Sequence, residues 1–158
     1  YSLAPESYVE APAGLRCVLP SPNGASITLE ASARSAVLLA ACLRNAEAVA
    51  TAAERLGQTI NVIACGERWQ SGALRPALED ALGAGAVLAH LAGRRSVEAE
   101  AFVALFERHK AELRDVLAQT SSGRELEGRG HVRDKEYAAA LNASAIVPRF
   151  DGVAYVAV

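Results

Sequence analysis

Two apolar runs separated by one amphipathic helix constrain this chain more than any other feature. Ala36 to Leu43 (AVLLAACL) and Ile60 to Cys65 read as strands covered on both faces, since a strand with one wet face alternates apolar and polar residues. Between them Asn45 is a good N-cap and Glu47 falls in the first turn. Ala48, Val49, Ala52, Ala53 and Leu56 then recur at helical spacing, and Gly57 closes the helix. Strand, helix and strand in that order form a βαβ unit, whose crossover is right-handed and whose strands are parallel. The expectation is an α/β fold, with helices packed on a mostly parallel sheet and a C-terminal β-hairpin, in a single domain spanning residues 1–158.

That topology has a chemical consequence. Parallel strands joined by a crossover end on one edge of the sheet, where open α/β sheets bind ligands. Arg44-Asn45 and Gly66-Glu67-Arg68 follow the two strands and are expected to meet there. Asn23-Gly24, inside PSPNGAS, joins them if a parallel strand precedes it. Leu15 to Leu19 is a short strand candidate for that place. Ile27 to Ala33 reads either as a second strand of an Asn-Gly hairpin or as a helix after a tight loop, and periodicity leaves both open.

The remainder of the chain is mostly helical in pattern. From Ala73 a helix carries Leu74, Ala77, Leu78, Ala81 and Leu82 on one stripe, with Pro76 in its first turn. Glu79 and Asp80 then point away from the core, and Gly83 and Gly85 loosen or break the helix before Ala86 to Leu91. Ser96 caps a long helix reaching about Gln119. Ser122 and Glu125 have the capping-box spacing, and Asp134 is the N-cap of a helix over 135–141. The chain ends in a hairpin, 145–150 and 153–158 about Asp151-Gly152, with Pro148 marking an edge strand.

Composition excludes several classes of partner. Sixteen basic against eighteen acidic residues leave a net charge of −2 with no basic block, which argues against nucleic acid and against an anionic membrane surface. No apolar run is long enough to cross a bilayer, and the start shows neither a basic nor an apolar leader region. Cys17, Cys42 and Cys65 are odd in number and widely spaced, as expected of buried reduced thiols in a cytoplasmic protein. Oligomeric state is open, a homo-oligomer included.

The candidate chemistry lies in the loops and the acids. Asn23-Gly24 can present backbone N–H groups to an oxyanion, with Ser21 and Ser26 adding hydroxyls, or form a simple turn. Asn45 is a ligand-facing amide or a plain cap. Gly66-Glu67-Arg68 pairs an acid with a cation suited to phosphate or sulfonate, or is a surface ion pair. Glu79-Asp80 offers oxygen ligands to Mg²⁺ or is a solvated helix face. His90, His109 and His131 share no ligand spacing, and no Gly-x-Gly-x-x-Gly or Walker-type lysine loop supports nucleotide binding.

Taken in order, PSPNGAS, LRNAEAVA, IACGERWQSGALRPALEDALGAGAVLAHL, SSGRELEGRGHVRD and the late IVP resemble the 2-phosphosulfolactate phosphatases of coenzyme M biosynthesis, over about Leu15 to Phe150. The resemblance implies an α/β fold, Mg²⁺ dependence and hydrolysis of 2-phospho-3-sulfolactate to sulfolactate and phosphate. It lays the family's asparagine-glycine loop on Asn23-Gly24, its strand-end asparagine on Asn45, its acidic pair on Glu79-Asp80 and its late acid on Asp134. Two departures stand out. Pro20-Ser21-Pro22 replaces a Thr-rich lead, and the family's first segment, with an Asp-x-x-Arg-Ala-type motif, has no counterpart in these residues. The chain is thus expected to match the C-terminal portion of a longer family member.

The resulting expectation is a Mg²⁺-dependent phosphatase acting on a small phosphorylated acid. Glu67 and Asp80 are catalytic, and Glu79 and Asp80 hold the metal. Asn23, Gly24, Ser26, Asn45, Gly66 and Arg68 bind substrate. Arg68, Arg75 and Arg124 are unranked candidates for the substrate's second anion. The rival reading is a non-catalytic small-anion-binding module, or an incomplete part of the enzyme.

Overall fold

The computed structural model describes residue 1 and residues 5–34 and 37–158. Its helices are α1 (Pro22–Ser32), α2 (Ala46–Leu56), α3 (Leu78–His90), α4 (Val97–His109), α5 (Leu113–Gln119), α6 (Ser121–Gly128) and α7 (Val132–Ala139). The strands are short: β1 (Glu67–Arg68), β2 (Leu74–Arg75), β3 (Pro148–Phe150) and β4 (Tyr155–Ala157). The architecture is mixed helix and sheet, and no helix among the described residues is long and apolar enough to cross a membrane.

Helix α3 is the centre of the packing, with α4 on one side and α2 on another. Leu82, Ala86 and Val87 from α3 meet Ala46 and Ala50 from α2, Phe106 from α4, and Leu113 and Leu117 from α5. Small residues let the backbones come close. At Gly85 an added Cβ would sit 2.2 Å from the Phe102 carbonyl oxygen and 2.8 Å from the Phe106 Cβ. The Gly83-Ala84-Gly85 segment therefore does not break the helix as expected. α3 runs through it, because the contact with α4 makes up for the low helix propensity of glycine.

The α/β class fits this mixture of helix and strand, but the expected mostly parallel sheet does not appear among the described residues. Among the described residues the strands form two antiparallel pairs, β1 with β2 and β3 with β4. The run expected as the first βαβ strand begins at Ala36, outside the described residues. Its later part lies beside the C-terminal hairpin instead. Leu39 bridges Arg149 antiparallel, Ala40 donates to the Pro148 carbonyl, and Phe150 donates to the Leu38 carbonyl. Ile60 to Cys65 joins no strand pair among the described residues, but its exposure alternates as in a strand with one covered face. Ile60, Val62 and Ala64 are half-buried, whereas Asn61 and Ile63 are exposed. An apolar run specifies burial, while its ladder partner lies far away in sequence and cannot be read from the run itself.

Other boundaries shift for local reasons. Leu15 to Leu19 is exposed and forms no strand. Of the open readings for Ile27 to Ala33, the helix is the one adopted, and Pro22 sits at its start, where a missing N–H costs nothing. The helix expected from Ala73 starts only at Leu78, because Leu74-Arg75 is drawn into β2. Ser96 caps α4 as expected, accepting from Ala99 N at 3.2 Å. The long helix is interrupted at Lys110–Glu112 by a 3-10 turn, which lets α5 pack on α6 and α7. α6 is capped not by Ser122 but by Thr120, whose Oγ1 accepts from Gly123 N at 3.0 Å. α7 starts at Val132, so Asp134 falls in its first turn rather than at its cap. The C-terminal hairpin forms as expected, with Asp151 Oδ1 accepting from Val153 N and Ala154 N to hold the turn. Cys17 and Cys42 are exposed and Cys65 half-buried, so the expected burial of all three is corrected.

Candidate functional site

The centre of the site is a turn, Gly66 to Gly72, gripped from both sides. Gly66 has φ of +70°, and a Cβ there would also press on Leu74 Cδ1 at 3.0 Å and the Arg75 carbonyl at 3.2 Å. Only glycine fits that combination of angle and contact. From one side α1 presents Asn23 in its first turn. The Asn23 Nδ2 donates to the Gly66 carbonyl at 2.7 Å, and Arg68 Nε donates to Asn23 Oδ1 at 2.8 Å. Arg68 Nη1 also donates to the Gly72 carbonyl at 2.8 Å, closing the turn over Trp69 to Ser71.

From the other side comes Asp80, in the first turn of α3. Gly66 N donates to its Oδ2 at 2.7 Å. The expectation that Glu79 and Asp80 point away from the core is corrected, since both are half-buried. The later helix start moves the stripe, so Leu74 and Leu78 are exposed and Asp80 turns toward the Gly66 turn. Burial holds the Asp80 carboxyl above the usual carboxylate range. The Gly66 N–H pulls the other way, and the Glu79 and Glu67 charges push it up further. The neighbouring Cys65 thiol is also raised, by burial first and by Asp80 second.

Asn23, Gly66, Arg68 and Asp80 thus form one hydrogen-bonded cluster, although they come from widely separated parts of the chain. Gly24 follows Asn23 in the first turn of α1, and Ser26 lies exposed one turn along the same helix. Glu67 is exposed in β1, opposite Arg75. Asn45 is different. It is 6% exposed, its Oδ1 accepts from Cys42 N at 2.8 Å, and its Nδ2 donates to the Ile146 carbonyl at 3.0 Å and the Ala40 carbonyl at 3.4 Å. Its amide ties the run leading into α2 to the segment carrying Ile146. The N-terminus of α2 is capped instead by Asn142, whose Oδ1 accepts from Glu47 N at 3.0 Å and which adopts φ of 51°. Asp134 stands apart, 3.7 Å from His131 Nδ1.

For a divalent cation the donor set is sparse but of the right kind. Among the described residues no three His, Cys, Asp or Glu side chains gather into a metal-ion site. Mg²⁺ needs only one or two carboxylates, with waters and phosphate oxygens completing its shell. Asp80, raised by burial and by the charges of Glu79 and Glu67, is a carboxylate that a cation would relieve, and its Oδ1 makes no hydrogen bond among the described residues. The residues fit the ion in that water-rich mode.

Beside this cluster lies a cavity of about 250 Å³ between the starts of α3 and α6, bounded by Arg75, Glu79, Thr120, Ser121 and Arg124. Sequence spacing gave no reason to rank Arg75. The clue available was an arginine next to the Pro that precedes a helix start.

A glycine-hinged turn carrying an arginine, backed by the first turns of two helices and flanked by acids, has N–H donors and a charge of the kind that suits small anions beside carboxylates. The family model for 2-phosphosulpholactate phosphatase matches residues 1–152. A probable 2-phosphosulfolactate phosphatase of Gloeobacter violaceus is 34% identical over 138 residues, covering 87% of this chain and 56% of the relative. A 2-phosphosulfolactate phosphatase of Methanothermobacter thermautotrophicus is 34% identical over 131 residues, covering 83% of this chain and 54% of the relative. The chain belongs to the 2-phosphosulfolactate phosphatase family. It spans about half the length of the curated relatives it matches.

Proposed function

We propose that this chain carries the phosphate-handling part of a Mg²⁺-dependent phosphatase that converts 2-phospho-3-sulfolactate and water into 3-sulfolactate and phosphate. The observation that carries the reading is the Asn23–Gly66–Arg68–Asp80 cluster, built within the region matched by the family model. Arg68, fixed at Nε and Nη1, offers its remaining N–H groups and its charge to phosphoryl oxygens, and the first-turn N–H groups of Asn23 and Gly24 add neutral donors. Glu67, the exposed acid beside Arg68, accepts a proton from the attacking water as the water oxygen bonds to phosphorus. It returns that proton to the bridging oxygen, which leaves with its electron pair as the hydroxyl of 3-sulfolactate. Asp80 and Glu79 would hold the Mg²⁺, which when bound supplies charge neutralisation on the phosphoryl group. Asn45 keeps the segments behind the site in register. The cytoplasm is the compartment we assign, on the strength of three unpaired cysteines.

The expected sheet belongs to the same proposal. Val37 and Ile63 are 49% and 58% exposed on runs with few or no ladder partners, as they would be if the mostly parallel sheet were completed by polypeptide beyond these residues. The alternative, an anion-binding but non-catalytic part, is favoured by coverage of little more than half of each relative. Phosphate release from 2-phospho-3-sulfolactate with Mg²⁺ and with EDTA separates the readings, run on this chain and on one extended upstream of Tyr1. Mg²⁺-dependent release by either supports the phosphatase, and release by neither rejects it.

A further inference from the structure

We propose that the cavity between α3 and α6 is the subsite for the substrate's non-reacting acid group, a sulfonate or carboxylate, with Arg75 and Arg124 as its cations. The location rests on geometry, and the identity of the ligand rests on the phosphatase reading above.

Arg75 is the first reason. Its side chain is only 9% exposed, yet among the described residues its charge is compensated only loosely. Nη2 reaches the neutral Ser122 Oγ at 3.3 Å, Glu125 Oε1 is 3.7 Å away and itself 55% exposed, and the guanidinium lies 5.5 Å from the Trp69 ring. A buried guanidinium carries five N–H donors, so a wall of the cavity is left with unused donor capacity. Arg124 is the second reason. It lines the same cavity, is exposed, and its side chain makes no hydrogen bond or ion pair among the described residues.

The backbone adds to the two side chains. α3 begins at the cavity with Ala77 as its N-cap, which offers no side-chain oxygen to the first-turn N–H groups. α6 begins there too, with its cap Thr120 satisfying Gly123 N and its first residue Ser121 lining the cavity. Against two guanidiniums and two helix starts stands one lining carboxylate, Glu79. A second cavity of about 250 Å³, by Arg44 and Tyr137, is a poorer candidate. Its guanidinium already donates to the Tyr137 carbonyl at 2.8 Å, lies over that ring, and has Glu136 beside it.

Position fits a substrate carrying several anions. The Arg75 carbonyl packs against Gly66 while Arg75 also lines the cavity, so one residue joins this subsite to the phosphate-handling turn. A small phosphorylated acid can place its phosphate at Arg68 and its sulfonate or carboxylate at Arg75 and Arg124.

Calorimetric titration of the 158-residue chain with 3-sulfolactate, which has no phosphate, and separately with inorganic phosphate tests the assignment. Arg124→Gln should weaken 3-sulfolactate by roughly tenfold or more, the size of a charge-assisted hydrogen bond, with Arg124→Lys recovering part of it and phosphate binding unchanged. Undiminished 3-sulfolactate binding by Arg124→Gln overturns the proposal. So does equal loss of phosphate binding, or no binding of 3-sulfolactate by the unaltered chain. The two readings fail separately. Arg124-dependent 3-sulfolactate binding without phosphate release sinks the phosphatase and leaves the subsite standing. Phosphate release with KM unmoved by Arg124→Gln does the reverse.

Discussion

Gly83 and Gly85 lie two residues apart in one helix, and the packing requires them to respond in opposite directions to the same substitution. Alanine in place of helical glycine gains about 1 kcal/mol of intrinsic propensity at either position. At Gly83 the nearest atom to the new Cβ is Leu43 N at 4.0 Å, so the gain is kept. At Gly85 the Cβ meets the Phe102 carbonyl oxygen at 2.2 Å, its carbon at 3.0 Å and the Phe106 Cβ at 2.8 Å. Two of these atoms are backbone and cannot rotate aside, so α4 must move away by about 1 Å, and overpacking of that kind costs about 3 kcal/mol. A gap of that size also loosens dispersion contacts along the rest of the α3–α4 face. Net of propensity, Gly85→Ala is destabilised by about 2 kcal/mol while Gly83→Ala gains about 1 kcal/mol. That separates the two by about 3 kcal/mol, or roughly 6–12 °C in midpoint for a chain of this size. Urea and thermal unfolding followed by far-UV circular dichroism measure it. Equal midpoints for the two variants would refute the close approach of α3 to α4.

Other substitutions probe the site and its supports. Asp80→Asn should flatten the pH dependence of stability. Because burial raises the Asp80 pKa, its favourable contribution is complete below the unfolded carboxylate value and is lost as pH rises through the folded value. The variant, able to accept from Gly66 N through Oδ1, should melt above the parent at neutral pH and with it at about pH 3, and a lower melt at neutral pH would contradict the assigned cause. Asn45→Ala strips partners from Cys42 N and the Ile146 and Ala40 carbonyls, and should cost about 3 kcal/mol, read as a midpoint lowered by roughly 6–12 °C. Asn23→Ala cuts both bonds between α1 and the Gly66 turn. It should speed amide exchange from Gly66 to Gly72 while leaving α4 protected, and unchanged exchange would show that the turn holds itself.

Helix α2, the Ser96 cap and the hairpin around Asp151-Gly152 were legible because each depends on neighbours a few residues away. The meeting of Asn23 with Gly66 and Arg68 was legible only conditionally and by a different route, with Arg44-Asn45 expected beside them and Asp80 not part of it. Parallel strands were expected to bring the loops together, whereas side-chain to backbone hydrogen bonds across a turn do so. What could not be read depends on distant partners. Asn142 caps α2 from 95 residues away, and nothing near Asn45 signals that its own amide is engaged elsewhere. Gly85 reads as a helix breaker until Phe102 is known to pack on it. Asp80 reads as a solvated acid when the helix is started at Ala73, and as a turn anchor once β2 claims Leu74 and Arg75.

That small strand pair explains why the candidate site is one unit rather than two. β1 and β2 are two residues each, joined through the turn that Arg68 closes, and β2 runs directly into Pro76 and the start of α3. Moving Arg75 to enlarge the cavity would drag the carbonyl that packs on Gly66, and with it the Asp80 and Asn23 bonds. Proline fixes φ at the exit, so strain cannot relax in that direction. The cationic cavity and the Arg68 turn are therefore held at a set spacing by covalent geometry. A ligand with two anionic groups gains from that arrangement over one with a single group, because the spacing is already in place before binding.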